Sequence, residues 1–220
     1  MKVTVLAVLA MAVPFSAFGV DGIVLVNQST VVAAGGFPYT ITQPGSYRLA
    51  GNLTVPNANT TAILVHADNV TIDLNGFSIL GPTVCTGIPV TSCSPTGSGF
   101  GIDARSQSGI TVVNGIIHGM GDLGVRISGG SVEKLQVSSN GGFGISVERG
   151  RIADSIAESN GNSGISVLTV TVIGNMANYN GGFGMFIECP SSVANNTANQ
   201  NRLTNLFVFA GCALANNSAP

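Results

Sequence analysis

Four heptapeptides in this chain share one spelling at a fixed spacing of 20 residues: Gly121-Asp-Leu-Gly-Val-Arg-Ile127, Gly141-Gly-Phe-Gly-Ile-Ser-Val147, Gly161-Asn-Ser-Gly-Ile-Ser-Val167 and Gly181-Gly-Phe-Gly-Met-Phe-Ile187. A period of this length marks a solenoid, in which each repeat buries its apolar face only by stacking on its neighbours. Within a block the apolar residues alternate, as Ile145 and Val147 do around Ser146. That is the period of a strand, not of a helix.

The rest of each repeat aligns as well. One column reads Val132, Ile152, Val172 and Val193, and a second reads Val137, Ala157, Ala177 and Ala198. Both are expected to point inward. A third column reads Asn140, Asn160, Asn180 and Asn201. Asparagine tolerates the left-handed backbone of a sharp bend better than most residues. Stacked amides can also donate from one coil to the next, forming a ladder. The column is therefore placed at a bend, with the glycine after each Asn releasing the chain into the next strand.

Upstream the pattern loosens. Phe100-Gly-Ile-Asp-Ala104 and Ala62-Ile-Leu-Val65 are earlier copies of the first strand, and Asn75-Gly76 and Asn114-Gly115 follow similar apolar runs. Residues 82–99, rich in Pro, Thr, Ser and Gly, read as an insertion looping out of a coil. Cys85 and Cys93 bracket a short loop inside it, and Cys189 and Cys212 lie about one coil apart. Stacked strands sit roughly 4.8 Å apart, within the span of a disulfide, so the pairs Cys85–Cys93 and Cys189–Cys212 are expected. With no Cys-x-x-Cys pair and no histidine near a cysteine in sequence, a metal site is not expected.

These features predict an all-β chain: a right-handed single-stranded parallel β-helix of roughly 7 coils, each about 20–23 residues long. A left-handed β-helix is built from hexapeptides, and a leucine-rich repeat needs its Leu frame; neither pattern occurs. The Gly-Gly-Phe-Gly segments at 141 and 181 lack the nine-residue recurrence and the Asp of calcium-binding repeats. The expected organisation is a signal peptide over 1–19, an N-terminal cap over 20–40, and the β-helix over 41–220.

Composition narrows the function classes. Charged residues are only 8 % of the chain, and Lys and Arg are scattered, so the basic stripe that nucleic acid requires is missing. Lys2, the apolar run Val3–Val13, Pro14 and the small residues of Ala17-Phe-Gly19 read as a secretory signal. All four cysteines follow it, in keeping with an oxidising compartment. No later segment is long and apolar enough to be expected to span a membrane.

Two stretches, Ile41-Thr-Gln-Pro-Gly-Ser-Tyr-Arg-Leu49 and Val70-Thr-Ile-Asp-Leu-Asn-Gly-Phe-Ser-Ile79, together with the Gly-x-x-Gly blocks, resemble the pectate-lyase-like superfamily of right-handed β-helices. Closer still is the resemblance to secreted β-helix repeat proteins of bacteria. It covers most of residues 40–217 and implies the fold far more strongly than an activity, since the superfamily holds lyases, glycoside hydrolases, viral tailspikes and members with no known activity. It also implies that any catalytic groups lie on outward strand positions beside long loops.

Beside the 82–99 loop the candidates are His66, Asp68, Asp103 and Arg105, a set suited to binding a uronate or to acid–base work. The competing reading, preferred here, is that they are solvated residues on a solenoid with few charges. Asp103 with Asp73 is too thin for a calcium cradle. His118, Asp122 and Arg126 form a weaker set, because a lone carboxylate has no partner for glycoside hydrolysis. Phe186 and Phe207 occupy outward positions of adjacent strands and form a candidate binding patch, ranked for protein contact above glycan.

Two functions follow: a non-catalytic secreted solenoid that binds polysaccharide or a cell-surface protein, or a polysaccharide lyase or glycoside hydrolase with its cleft beside the 82–99 loop. No cofactor is expected. A homo-oligomer joined through exposed strand edges at the C-terminal end is an expected form of association. The inward assignment has a direct test. Ile165→Asp should cost more than about 3 kcal/mol, as an unpaired buried charge does, whereas Ser166→Asp should stay within about 0.5 kcal/mol. Thermal melts showing equal losses would reverse the assignment.

Overall fold

The computed structural model describes residues 22–220, so the signal segment expected over 1–19 lies outside the described residues. The chain winds into a parallel β-helix of about 9 turns with ~21 residues per turn. This exceeds the expected coil number. The difference arises at the start, where Ile23–Val26, inside the segment read as a cap, already pairs in parallel with Ser46–Leu49. Tyr39–Ile41 pairs likewise with Ile63–Val65. A short helix, Gln28–Ala33, follows the first strand. Asn27 caps it by accepting from Thr30 N at 3.0 Å, and its Val31 is fully buried in the solenoid core.

Three parallel faces run the length of the coil. The first face carries Ile63–Val65, Ile102–Ala104, the start of Val125–Ser138, the start of Ile145–Ala153, Ile165–Leu168, Met185–Glu188 and Leu206–Val208. The second continues from these strands across a bend, and the third closes the turn. Like stacks on like: Val132, Ile152, Val172 and Val193 are in register on the second face, and Val137, Ala157, Ala177 and Ala198 on the third. All eight are buried, because alternation turns every second side chain into the cylinder.

The asparagine column is a continuous ladder. Asn140 Nδ2 donates to Asn160 Oδ1 at 2.9 Å, Asn160 to Asn180 at 3.1 Å, and Asn180 to Asn201 at 2.9 Å. The same oxygens accept the backbone N–H of the preceding Asn, and the second amide hydrogens of Asn160, Asn180 and Asn201 go to carbonyls of the coil before. In the middle of the ladder every amide valence is thus filled. The expected backbone reason is corrected, however. The left-handed residue is the one before each Asn: Ser139, Ser159, Tyr179 and Gln200. The Asn side chain turns inward from the bend and serves as its hydrogen-bonded filling.

A second ladder, Asn175–Asn196–Asn217, sits at the bend between the second and third faces and follows the same rule. Its left-handed residues are Gly174, Asn195 and Asn216.

The glycine column also has a different reason. Gly121, Gly141, Gly161 and Gly181 have no positive φ. A Cβ at each of the last three would strike the carbonyl of the glycine one coil below. The 82–99 insertion lies over these glycines. Its antiparallel strands Val84–Thr86 and Ser92–Ser94 pair Cys85 with Cys93, which are disulfide-bonded with Cα atoms 4.0 Å apart. The hairpin runs along the column: Gly97 N donates to Gly121 O at 3.0 Å, Cys85 Sγ lies 3.5 Å from Asn140 O, and Val90 N donates to Tyr179 O at 2.9 Å. A Cβ on Gly161 would come within 2.8 Å of Cys93 Sγ. One coil past the hairpin tip the equivalent position is Arg202, which is exposed. The second disulfide, Cys189–Cys212, joins successive coils with Cα atoms 5.1 Å apart.

Removing one rung tests the ladder. Asn160→Ala strands two buried donors of Asn140 and removes the amide that donates to Val137 O and Asn180 Oδ1; it should cost about 3 kcal/mol, whereas Gln136→Ala, exposed on the third face, should cost less than about 0.5 kcal/mol. Denaturant melts of the two variants give the comparison, and a loss for Asn160→Ala no larger than the control's would deny the ladder its role.

Candidate functional site

The first face is the only one flanked by both the N-terminal segment and the end of the inserted hairpin among the described residues. There they flank an open cleft of about 670 Å³, lined by Phe37, Thr61, Ser98, Phe100, Asp103, Arg105 and Asp122, among others. The wall is tied down by backbone bonds. Gly99 N donates to Ala58 O at 2.9 Å, and Asp122 N donates to Gly99 O at 3.0 Å.

Asp103, on strand Ile102–Ala104, and Arg105, in the turn just after it, form the cleft's ion pair. Arg105 Nη2 lies 2.6 Å from Asp103 Oδ2, and Nε lies 3.0 and 3.1 Å from the two carboxylate oxygens. The pair fixes the guanidinium over the Phe100 ring, 4.8 Å from its centroid. Asp103 is buried, which corrects the expectation that it lies on the outside among solvated charges. One coil on, Arg126 stands in register with Asp103 and reaches Glu148 at 3.8 Å. Its Nε is buried without a hydrogen-bond partner. Ser128 donates to the Arg105 carbonyl and lies 3.0 Å from Glu148 Oε2.

Asp122 differs from Asp103, the other carboxylate lining the cleft. No donor reaches its side chain among the described residues. Burial pushes its pKa above the ordinary carboxylate value of 3.8, and Arg105 and Arg126, acting through space, offset part of that rise.

The two sequence-derived sets are therefore recombined. Asp103 and Arg105 from the first join Asp122 from the second. His66 is exposed at the rim of a neighbouring hollow of about 160 Å³ that it shares with Asp103 and Arg105. Asp68 is a turn acceptor, taking Ser108 N at 2.7 Å. His118 belongs to the third face, on a column that continues through Ser138, Glu158 and Asn178, and bonds Ser138 Oγ at 3.0 Å. Phe37 lies upstream of the repeated blocks, whereas Phe100 heads the column that continues through Leu123, Phe143, Ser163 and Phe183 and was legible as the first residue of its strand copy. The sequence signal for Asp122 was its place in the turn just before a first-face strand.

Farther along the same face the outward column passes through Ser146 and Ser166 to Phe186 and Phe207, which stack with centroids 5.5 Å apart. Phe183 and Phe209 complete the cluster, at 5.1 and 5.2 Å from Phe207. Phe183 was legible as part of its Gly-x-Phe-Gly block, and Phe209 as the next alternate residue after Phe207.

A family model described as the right handed beta helix region matches residues 41–219. The chain belongs to the right-handed β-helix family. No curated protein matches it. The described part of this β-helix contains no helix long and apolar enough to cross a membrane, and no group of three or more His, Cys, Asp or Glu placed to hold a metal.

The Asp122 environment predicts a pH effect on stability. The folded protein holds this proton more tightly than the unfolded chain does. The group therefore weakens the fold as pH rises from 3.8 through the raised folded value, and the effect is constant above it. Asp122→Asn removes that dependence. The variant should equal or exceed the parent in melting temperature at neutral pH, with the advantage shrinking toward acid pH. A variant less stable than the parent at neutral pH would contradict it.

Proposed function

We propose that this is a secreted, non-catalytic β-helix that holds a glycan in the cleft of its first face. The observation that carries this reading is the cleft's lining: the half-buried Phe37 ring beside hydroxyl and amide groups and an Arg–Asp pair, with Phe100 buried beneath the arginine as its floor. Aromatic faces pack against the apolar faces of sugar rings, while convergent polar groups fix orientation. Secretion is supported by the signal-like character of residues 1–19, by the two disulfides and by the low charge. The absence of turnover is supported by the state of Asp103, whose two oxygens are engaged by Arg105, since glycoside hydrolysis uses two carboxyl groups flanking one bond.

A second reading, a glycoside hydrolase, is favoured by one observation: the raised pKa of Asp122 is the property of a general acid. Release of reducing ends that disappears in Asp122→Asn would establish it in place of the first.

Glycan-array screening followed by calorimetry tests the binding site. Ser98 is exposed on the cleft wall, so Ser98→Trp should fill the cleft and weaken binding by about tenfold or more, with melting unchanged. Phe186→Ala combined with Phe207→Ala should leave affinity within about twofold. The reverse pattern would move the site to the aromatic cluster.

A further inference from the structure

We propose that the sugar held in the cleft carries a free amine, as a glucosamine oligomer does, and that Asp122 receives its ammonium group. This rests on the binding role of the cleft given above and goes beyond it by naming the ligand class. The argument is one of charge and valence. Around the cleft Asp103 answers Arg105 at 2.6 Å, Glu148 answers Arg126 at 3.8 Å, and Asp122 feels both guanidiniums only through space, with neither bonded to it. A uronate would bring another carboxylate to a site whose cations are already matched. Arg126 Nε does lack a hydrogen bond, but the charge of that guanidinium is met by Glu148.

Asp122 is partly buried by the cleft's own walls, and the desolvation that raises its pKa is a cost that a bound cation would offset. Its oxygens accept nothing from the protein among the described residues, whereas an ammonium brings three donors. The half-buried Phe37 ring lies in the same cleft, whereas the face of Phe100 is taken by Arg105. One sugar unit can therefore lie on an aromatic ring while its amine meets the carboxylate. An N-acetylated or fully neutral sugar keeps the ring contact and loses the charge-assisted bond, which is roughly twice as strong as a neutral one.

Calorimetry with the full mature chain and three probes tests this: a glucosamine oligomer, its fully N-acetylated counterpart and an oligogalacturonate of the same length. The glucosamine oligomer should bind about tenfold or more tightly than the acetylated one, and the galacturonate weakest of all. Asp122→Asn, which preserves shape, should bring the two amino-sugar probes to within about twofold of each other; Asp122→Glu should retain a preference for the free amine. Added salt should weaken the amine probe selectively. Equal binding of the amine and acetyl forms by the parent, or a preference that survives in Asp122→Asn, overturns the ligand class. Blockage by Ser98→Trp would in that case leave the cleft's role as a glycan site standing. Failure of all three probes to bind overturns the ligand class as well, and the array screen then decides the fate of the cleft separately.

Discussion

Everything in this molecule depends on coil-to-coil registry. A parallel solenoid has no hairpin to set its strand pairing, so each turn must find the same offset against the turn below. Along a face of alternating residues, a slip by one would turn the core outward. The two asparagine ladders resist such slips. At each rung, as at Asn160, a buried amide accepts a side-chain and a backbone N–H from the coil before, donates to a carbonyl of that same coil and gives its other N–H to the Asn of the next coil. A shifted coil would leave these groups unpaired inside the protein, where each costs about 1–3 kcal/mol. The ladders therefore do more to specify the stack than their modest net bond energy suggests.

The inserted hairpin uses the same regularity. Removing side chains at Gly121, Gly141, Gly161 and Gly181 opens a track along one edge, and the Cys85–Cys93 hairpin lies in it as far as Tyr179. Its end returns to the first face, where residues 97–99 become the wall of the cleft. Scaffold and site are thus joined by one segment. The glycines let the hairpin lie close to the coils, and the close-lying hairpin leaves its last residues beside Asp122 and Phe100.

The legible part of the site followed from register. Ile63 opposite Ile102 placed His66 beside Arg105, and that pairing is present. Asp103 was legible in position but not in state: the structure buries it and engages both its oxygens with Arg105. Asp122 was grouped with His118 because the two are neighbours in sequence, yet a bend between them sends His118 to the third face and Asp122 to the first. The Phe186–Phe207 stack was legible as two outward residues in one column. Its extension by Phe183 and Phe209 required knowing how the rings tilt across the turn.

The amino-acid sequence by itself determined the architecture of this protein: a strand-length unit, a 20-residue period, inward aliphatic columns and an Asn at one bend of each repeated coil leave one economical way to bury apolar surface and fill polar valences. Periodic information is local and repeated, so it survives without coordinates. Only the tertiary structure decided where the cleft lies, which of its carboxylates is hydrogen-bonded and which is not, and that the residue before each ladder Asn takes the left-handed turn. Those outcomes come from single, unrepeated contacts between distant segments, and the energy of such a contact depends on what happens to lie across the gap.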